Sequence, residues 1–304
     1  MSVSVVIPTY NRAATVGRAI DSVLAQGVAC EIVVVDDGST DDTASRLAAY
    51  GDRIRVVTQP NGGVAAARNA GLRVATGDVI AFLDSDDEWL PGKLARQLSL
   101  LESDPRVALV GGNAEYVDAK GRVEMVGSAS SIGVPPEQVV AQLLLENFVV
   151  TSSVIVRRNA IDEFDPPFLG DFTPSEDWIL WLRIAGRHPI AITRDVVTRY
   201  HIMSDSIART APPTRFRRAY AGVYLLEKID PVLRPMIAKR HRLIRIRANF
   251  WTALAYYENR DYWRARVLML RAIAAGPWLV KWKTAIPILF LPKSVRDAVK
   301  RRVA

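Results

Sequence analysis

Cysteine, long apolar runs and a basic leader are scarce or missing in this 304-residue sequence. Cys30 is the only cysteine, which excludes an internal disulfide and a cysteine-based zinc site and favours a reducing compartment. No run of about 20 uncharged apolar residues is present, so we expect no transmembrane helix. Met1–Pro8 lacks a basic n-region, so we expect no signal peptide. These absences favour a cytoplasmic location or a peripheral one at the cytoplasmic face of a membrane.

Two nucleotide-binding signatures are also missing. The chain has neither GxxxxGK[ST] nor GxGxxG, which argues against a kinase, an ATPase and a nicotinamide enzyme. A nucleotidyltransferase would need a glycine- and lysine-rich pyrophosphate loop near the N-terminus. The segment Thr9–Gly17 offers only Arg12 and one glycine for that purpose.

The net charge of +8 averages two unlike parts of the chain. Residues 1–204 hold 18 Lys/Arg against 26 Asp/Glu, and residues 205–304 hold 22 against 6. The acidic part argues against binding nucleic acid along its backbone. The basic part predicts an anionic partner, for which a membrane surface is favoured.

Strands and helices alternate through the acidic part. β-Branched runs at 3–8, 31–36, 54–58, 79–84 and 107–111 predict strands, and helical apolar spacing at 16–24, 64–74 and 94–101 predicts helices. Pro91 is expected to open the last of these helices. Further on we expect a hairpin about 118–121, helices at 137–146 and 174–187, a strand at 152–157, and one or two edge strands at 190–200. The pattern predicts an α/β sandwich with a mostly parallel sheet and helices on both faces, plus a helical C-terminal region, with the boundary at 205/206.

Ligands of such sheets bind beyond the carboxyl ends of the strands, where this sequence places acids. Asp36 and Asp37 end the second strand; they form either an Asx-type turn or acceptors for a ribose or base. Four acids occur in the five residues of Asp84-Ser-Asp-Asp-Glu88, which is either a solvated capping loop or a Mg²⁺ or Mn²⁺ site. The two outer acids of Asp84-Ser85-Asp86 share one face if the segment is extended.

Two helix starts carry further polar residues. Arg68 lies in the opening turns of the helix at 64–74, where a positive charge opposes the helix dipole unless an anion lies beside it. Ser175-Glu176-Asp177-Trp178 opens the helix at 174–187, either as a simple N-cap or with Asp177 as a general base. Trp178 and Trp181 are sugar-stacking or core residues, and core is favoured for Trp181.

Five stretches resemble family-2 glycosyltransferases of the GT-A fold, in that family's order. They are VSVVIPTYNR (3–12), EIVVVDDGSTDDT (31–43), NGGVAAARNAGL (61–72), GDVIAFLDSDDEW (77–89) and SEDWILWLRIA (175–185). The resemblance covers roughly residues 1–205. It implies inverting transfer of a sugar from a nucleoside-diphosphate sugar, with UDP favoured, to an acceptor hydroxyl. The segment Asp162–Gly170 departs from the family's usual Gly-Gly-Phe-Asp, which affects the acceptor side most.

The resemblance also implies roles for individual residues. Pro8, Thr9, Tyr10 and Asp36 or Asp37 would bind the nucleoside, Arg68 the diphosphate or base, and Asp84 and Ser85 the ribose or donor sugar. Asp86 and His201 would hold Mn²⁺ or Mg²⁺. Asp177 would be the catalytic base, with Glu176 and Trp178 on the acceptor side.

The region 206–304 lies outside the resemblance. Its arginines and the segment Pro277–Pro292, with tryptophans, lysines and a short apolar run, predict either helices packed on the body or an interfacial segment at anionic lipid. An interfacial segment would suit a lipid-linked glycan acceptor and the synthesis of a surface polysaccharide or glycolipid. The alternatives are a non-catalytic nucleotide-binding scaffold and a nucleotidyltransferase.

Overall fold

The computed structural model describes residues 1–118, 121–126, 136–203 and 212–276. The chain forms two compact units. The first comprises Met1–Leu143 and Asn147–Arg209, and the second Leu144–Glu146 and Thr210–Ala304. The predicted boundary at 205/206 falls outside the described residues and stays a prediction.

In the described part of the chain, the first unit is built around one sheet of nine strands. The strands are β1 (Val3–Thr9), β2 (Glu31–Asp36), β3 (Arg55–Thr58), β4 (Val79–Phe82), β5 (Glu88–Trp89), β6 (Leu109–Val117), β7 (Val123–Val126), β8 (Ile155–Arg157) and β9 (Ile190–His201). Their order across the sheet is β3-β2-β1-β4-β8-β6-β9-β5, and β7 pairs with β6.

The pairing directions change across the sheet. β1 to β4 pair parallel, β8 runs antiparallel to β4 and β6, and β6 and β9 are parallel. The largely parallel sheet that we expected is therefore found among the first four strands, and the complete sheet is mixed. The strand predicted at 190–200 is confirmed as β9. It pairs with β6 on one side and with β5 at Thr198 and Arg199 on the other, so it does not lie at the edge of the sheet.

Helices cover both faces, as the strand–helix alternation predicts. They are α1 (Val16–Leu24), α2 (Thr43–Ala48), α3 (Val64–Val74), α4 (Lys93–Ser103), α5 (Pro136–Leu143), α6 (Arg158–Ile161) and α7 (Glu176–Ala185). Val5 and Ile7 of β1 share one apolar cluster with residues of α1 and α4. On the opposite face, Val6 of β1 meets α3, and Phe82 of β4 contacts Trp181 of α7. Because side chains alternate along a strand, one buried strand supplies both cores.

Several predicted boundaries shift. α4 begins at Lys93 instead of Pro91, because Gly92 before it has a left-handed φ of 75°. Residues 152–153 belong to a 3-10 turn, Thr151–Ser153, that precedes β8. The predicted β-hairpin is confirmed by the pairing of β6 with β7. The loops expected at 128–136 and 203–213 lie mostly outside the described residues, as does all of Pro277–Pro292.

The second unit is helical in its described part, with α8 (Arg215–Ile229), α9 (Arg234–Glu258) and α10 (Tyr262–Ala275). α9 and α10 share a buried apolar cluster that includes Phe250 and Met269. Tyr220 of α8 donates its hydroxyl hydrogen bond to the carbonyl of Leu145. None of the described helices is long and apolar enough to span a bilayer.

Candidate active site

Three strand ends converge at one edge of the sheet. β1, β2 and β4 are parallel, so the segments that follow them lie side by side. The Asn11 amide N–H donates to Ser39 Oγ at 2.9 Å, and Asn11 Oδ1 accepts from the Thr40 N–H at 2.8 Å. Arg12 Nε lies 3.8 Å from Asp86 Oδ2. The three segments therefore form one polar surface, as the strand-end rule predicts.

The end of β1 leaves one polar atom unsatisfied. Thr9 Oγ1 is buried and has no hydrogen-bond partner among the described residues. The Thr9 carbonyl accepts from the Asp37 N–H at 2.9 Å, which ties β1 to the end of β2. Pro8 is buried in the strand, and the Tyr10 side chain is exposed. An unpaired buried hydroxyl beside an exposed aromatic ring is suited to a ligand that brings its own donors and acceptors.

Asp36 and Asp37 are buried and bonded to neighbouring loops. Asp36 Oδ1 accepts from the Ser39 N–H at 2.9 Å, which is the Asx-type turn that the sequence left open. Asp37 accepts from Gln59 Nε2 at 2.6 Å and from the amides of Gly62 and Gly63 at 2.9 and 2.8 Å. These bonds hold the entry to α3. A role for either carboxylate in binding a nucleoside stays a prediction.

Arg68 lies beside two anionic side chains, as its place in the opening turns of α3 predicts. The residue is 3% exposed and its side chain joins two carboxylates, with Nη2 2.7 Å from Asp84 Oδ1 and Nη1 2.6 Å from Glu176 Oε1. Burial lowers the pKa of Arg68, but the charges of Asp84 and Glu176 outweigh this effect and raise that pKa above its ordinary value. The long side chain turns inward from α3 and links β4 to α7. A contact of Arg68 with a diphosphate or base stays a prediction.

The acidic loop after β4 divides into inward and outward carboxylates. Asp87 is buried, accepts from Ser152 Oγ at 2.5 Å and accepts from the His201 N–H at 3.1 Å. Burial, followed by the charges of Asp86 and Asp84, raises the pKa of Asp87 well above its ordinary value. Asp84 and Asp86 are partly exposed, with the buried Ser85 between them. Glu88 is also partly exposed, but its carboxylate is engaged by Arg199 and His201, so we expect a cation to meet Asp84 and Asp86 first.

His201 lies at the end of β9, beside the same loop. Its Nε2 is 3.3 Å from Glu88 Oε1, which also accepts from Arg199 at 2.7 Å. Burial and then the charge of Arg18 lower the pKa of His201, although Glu88 opposes this. The neutral imidazole is the form that binds metals.

The donor set suits a hard cation, although no complete cage is present. Among the described residues, no group of three acidic, histidine or cysteine side chains converges to hold a metal ion. Asp84 Oδ2 has no hydrogen-bond partner within those residues. Mg²⁺ and Mn²⁺ sites commonly take one or two carboxylates and complete their shell with substrate phosphates and water. The residues present fit that kind of site.

Asp177 lies at the start of α7, immediately after the buried Glu176. Its Oδ2 accepts from Thr151 Oγ1 at 2.6 Å, and its Oδ1 accepts from the Trp178 N–H at 2.6 Å. Burial and then the charge of Glu176 raise the pKa of Asp177 to about 6, against the opposing effect of Arg68. A half-buried carboxylate whose pKa lies just below neutrality is suited to accept a proton.

Glu176 and Trp178 point into the protein. Glu176 is 4% exposed and pairs with Arg68, and its Oε2 is buried without a partner among the described residues. Trp178 is 3% exposed, and its indole N–H donates to the Leu143 carbonyl at 2.7 Å. Trp178 therefore offers no face to an acceptor, which corrects the sugar-stacking interpretation. Trp181 is buried in the core, as favoured from the sequence.

Sequence reasoning missed the contribution of the 3-10 turn Thr151–Ser153. Thr151 supports Asp177, and Ser152 Oγ bonds both the Asp87 carboxylate and the Asp84 N–H, the latter at 3.1 Å. Ser152 is fully buried, and its carbonyl also accepts from the Trp89 indole at 2.7 Å. The only signal in the sequence was a run of neighbouring hydroxyl residues before a short strand. The turn is distant in sequence from the two motifs that it supports, so its contacts with them cannot be inferred without the fold.

Comparison with known proteins identifies the family of the chain. The model of the family described as "Glycosyl transferase family 2" matches residues 4–164, which is more than half of the chain. The chain belongs to this family. It is therefore a glycosyltransferase, and the nucleotidyltransferase alternative is set aside.

Two curated relatives of this family-2 glycosyltransferase cover most of its length. Escherichia coli WfgD, "UDP-Glc:alpha-D-GlcNAc-diphosphoundecaprenol beta-1,3-glucosyltransferase", is 32% identical over 68% of this chain and 79% of that protein. The "Succinoglycan biosynthesis protein ExoO" of Rhizobium meliloti is 33% identical over 75% of this chain and 71% of that protein.

Solved structures share the fold. Staphylococcus aureus TarS 1–349 has a TM-score of 0.58 at 18% identity and covers 98% of this chain and 92% of its own. PcManGT, a mannosyltransferase from Pyrobaculum calidifontis solved with GDP-Man and Mn²⁺, has a TM-score of 0.60 at 20% identity and covers 99% and 80%. At these identities the likeness shows the GT-A fold and nothing about the substrate.

Proposed function

We propose that this glycosyltransferase moves a sugar, with inversion, from a nucleoside-diphosphate sugar to a hydroxyl of a sugar or lipid-linked glycan. A UDP-sugar is the favoured donor, Mn²⁺ or Mg²⁺ the cofactor, and a surface polysaccharide or glycolipid the product. We place the reaction in the cytoplasm or at the cytoplasmic face of a membrane. The observation that carries the proposal is the Arg68 bridge, which joins Asp84 after β4 to the helix start that bears Asp177.

The named activities of relatives support the donor and acceptor classes. WfgD is named for UDP-Glc and a diphosphoundecaprenol-linked sugar, and ExoO for succinoglycan biosynthesis. TarS has been solved with UDP-GlcNAc, and PcManGT with GDP-Man and Mn²⁺. The different nucleotides in these structures make the choice of base an experimental question.

On the donor side, the end of β1 would receive the nucleoside. Thr9 brings an unpaired hydroxyl and Tyr10 an exposed ring, while Asp36 and Asp37 keep the adjoining loops in place. Asp84 and Ser85 would face the ribose or donor sugar, and Asp86 and His201 would hold the cation. The cation supplies charge that stabilises the leaving nucleoside diphosphate.

On the acceptor side, Asp177 would take the proton of the attacking hydroxyl. Its pKa of about 6 leaves it mostly ionised at pH 7, and Thr151 fixes one of its oxygens. Direct attack by the acceptor inverts the anomeric carbon and needs no covalent enzyme intermediate. A carboxylate is sufficient for this single proton transfer.

Calorimetric titration with UDP, GDP and dTDP, each with and without Mn²⁺, tests the donor site. We expect UDP to bind most tightly and to need the cation for this. In Asp86→Asn, the cation should no longer strengthen the binding of UDP. Asp52→Asn removes an exposed acid in the turn before β3, at the opposite end of the parallel strands, and should bind as wild type does. Binding of no nucleotide, or binding that ignores both cation and Asp86, would contradict the proposed donor site.

A further inference from the structure

The last described helix, α10, is apolar on two opposite sides. Its inner side carries Ala265, Leu268, Met269 and Ala272, which are buried in the cluster shared with α9. Its outer side repeats apolar residues at i, i+4, i+7 and i+11, at Trp263, Val267, Leu270 and Ala274. Such spacing places the four on one stripe of a helix. The inner side already supplies the packing of α10, so the fold does not account for the outer stripe.

Two members of the outer stripe are large and strongly exposed. Trp263 is 76% exposed and Leu270 is 55% exposed, and they lie two turns apart. A single exposed leucine is ordinary on a protein surface. A tryptophan and a leucine aligned on one exposed helical stripe are more typical of a surface that meets an apolar phase.

Arginines border this stripe. Arg266 lies on one side of it and Arg264 and Arg271 on the other, at the angles set by 3.6 residues per turn, and all three are exposed. Arg264 pairs with Asp261 at 2.9 Å, whereas Arg266 and Arg271 have no ion-pair partner among the described residues. Residues 212–276 hold 14 Lys/Arg against 4 Asp/Glu. The surroundings of the stripe therefore favour an anionic partner.

We propose that the outer face of α10 binds the surface of an anionic phospholipid bilayer. Trp263 and Leu270 enter the boundary between headgroups and acyl chains, and Arg266 and Arg271 contact the lipid phosphates. An apolar stripe flanked by arginines is typical of an interfacial helix. Tryptophan is enriched at the interface between the membrane and water. In sequence, α10 is followed by further tryptophans, lysines and apolar residues at 277–292, which continues the same composition.

The surface has a use if the proposed function holds, because a lipid-linked acceptor stays in the membrane. The binding itself does not depend on catalysis. Vesicles without donor or acceptor therefore test the surface separately from the proposed reaction, and nucleotide titration tests the donor site separately from the surface.

The experiment is co-sedimentation of the full chain with vesicles of phosphatidylcholine alone and of phosphatidylcholine mixed with phosphatidylglycerol. We expect binding to the anionic vesicles that weakens with added salt. Trp263→Ser with Leu270→Ser should lower the partition coefficient by about tenfold or more, because both apolar anchors are lost. Arg266→Gln with Arg271→Gln should lower it on anionic vesicles by about fivefold per arginine.

Matched controls lie in the first unit. Leu100→Ser removes an exposed leucine, and Arg46→Gln with Arg73→Gln removes two exposed arginines, so both should bind vesicles as wild type does. Failure of the wild type to bind anionic vesicles would overturn the proposal, as would a serine variant that binds equally well. A dimer that becomes monomeric in the serine variant, with no lipid binding in either, would overturn it in favour of an interface between copies.

Discussion

A single guanidinium connects the acid after β4 with the helix start that carries the proposed base. Arg68 is buried between Asp84 and Glu176, and its charge also acts on Asp177. Burial removes the water that would screen these charges, so each one shifts the protonation of the others. The proton affinity of Asp177 is therefore a property of the cluster, which makes it testable by changing one member at a time.

Asp177→Asn should remove turnover while preserving nucleotide binding. A lost general base costs about 10²- to 10⁴-fold in rate. In the wild type, kcat/KM should rise with pH through the pKa of about 6, because the ionised carboxylate is the active form. Steady-state rates and calorimetry on both proteins check this. Unchanged turnover in the variant would show that Asp177 is not the catalytic base.

The same substitution should not destabilise the fold at neutral pH. The folded-state pKa of Asp177 is raised, so the protonated form is favoured in the folded chain, and this stability is present below about pH 4 and lost as pH rises through about 6. Asparagine still accepts the hydrogen bond from Thr151, and it has no carboxyl group that loses a favoured proton as the pH rises. Melting temperatures across pH 4 to 8 should show the variant gaining on the wild type as pH rises, and a gap that does not change with pH would contradict this.

Arg68→Gln should move the acid limb of the rate profile to higher pH. Arg68 opposes the raised pKa of Asp177, so its removal lets burial and Glu176 raise that pKa further. It also leaves Glu176 buried without its partner, at a cost of about 3–5 kcal/mol in stability. Arg68→Lys keeps the charge and serves as the folded comparison, with a smaller movement of the limb. An acid limb that stays in place in both variants would show that Arg68 does not act on the base.

At the scale of elements, the small residues of α3 set how closely the helix approaches the sheet. Ala65, Ala67, Ala70 and Gly71 are buried on this helix. A Cβ at Gly71 would lie 2.5 Å from Val6 Cγ1 and 3.3 Å from Val35 Cγ2. This close approach sets where Arg68 on the same helix reaches between β4 and α7.

Gly71→Ala should destabilise the protein by about 1–3 kcal/mol, since β1 and α3 must separate to admit the methyl group. The intrinsic helix preference of alanine over glycine offsets only about 1 kcal/mol of this. Arg73→Ala, at an exposed position of the same helix, is the control and should change stability by less than about 0.5 kcal/mol. Denaturant titration measures both, and equal midpoints for the two variants would contradict the close packing.

The turn Thr151–Ser153 shows how one short element supports two functional segments. Ser152 bonds both the Asp84 N–H and the Asp87 carboxylate and so fixes the curvature of the acidic loop. Ser152→Ala should weaken cation-dependent UDP binding by about tenfold or more, because both of these hydrogen bonds are lost. Ser103→Ala, at an exposed hydroxyl on α4, should leave the affinity unchanged. Equal affinities of the two variants in calorimetry would refute a supporting role for Ser152.

At the scale of the whole molecule, the two compact units have different proposed partners. Every residue assigned to the donor site belongs to the first unit, and the arginine-bordered stripe belongs to the second. The charge balance of the sequence divides in the same sense, negative before residue 205 and positive after it. Each unit can therefore be probed with its own ligand.

Hydrogen exchange on the full chain should separate the two responses. UDP with Mn²⁺ is expected to protect amides at the ends of β1 and β4 and at the start of α7, since ligand binding opposes local opening. Anionic vesicles should instead protect α10. The Asp86→Asn and Trp263→Ser variants are the respective controls. Protection of α10 by the nucleotide, or of the β4 end by vesicles, would contradict this division.

Local patterns in the sequence were sufficient for most of the elements and their order, although the two-residue β5 and the short α6 were not predicted. A β-branched run placed β2 at Glu31–Asp36 and period-3.6 spacing placed α3 at Val64–Val74, because such patterns depend on near neighbours only. The five motifs likewise predicted the family. The antiparallel pairing of β8 with β4 and β6 could not be predicted from local patterns. It joins β8 to residues of β4 about 75 positions earlier in the sequence and to residues of β6 about 46 positions earlier.

The sequence by itself determined which groups are available: the acids after β2 and β4, the acid pair at α7, and a basic helical region. Only the tertiary structure decided which way each group points. It turned Arg68 inward to bridge two carboxylates, buried Asp87 and Trp178, and brought Thr151 and Ser152 to the site. The physical reason is that side-chain direction and burial follow from contacts between distant segments, whereas residue type and spacing are local.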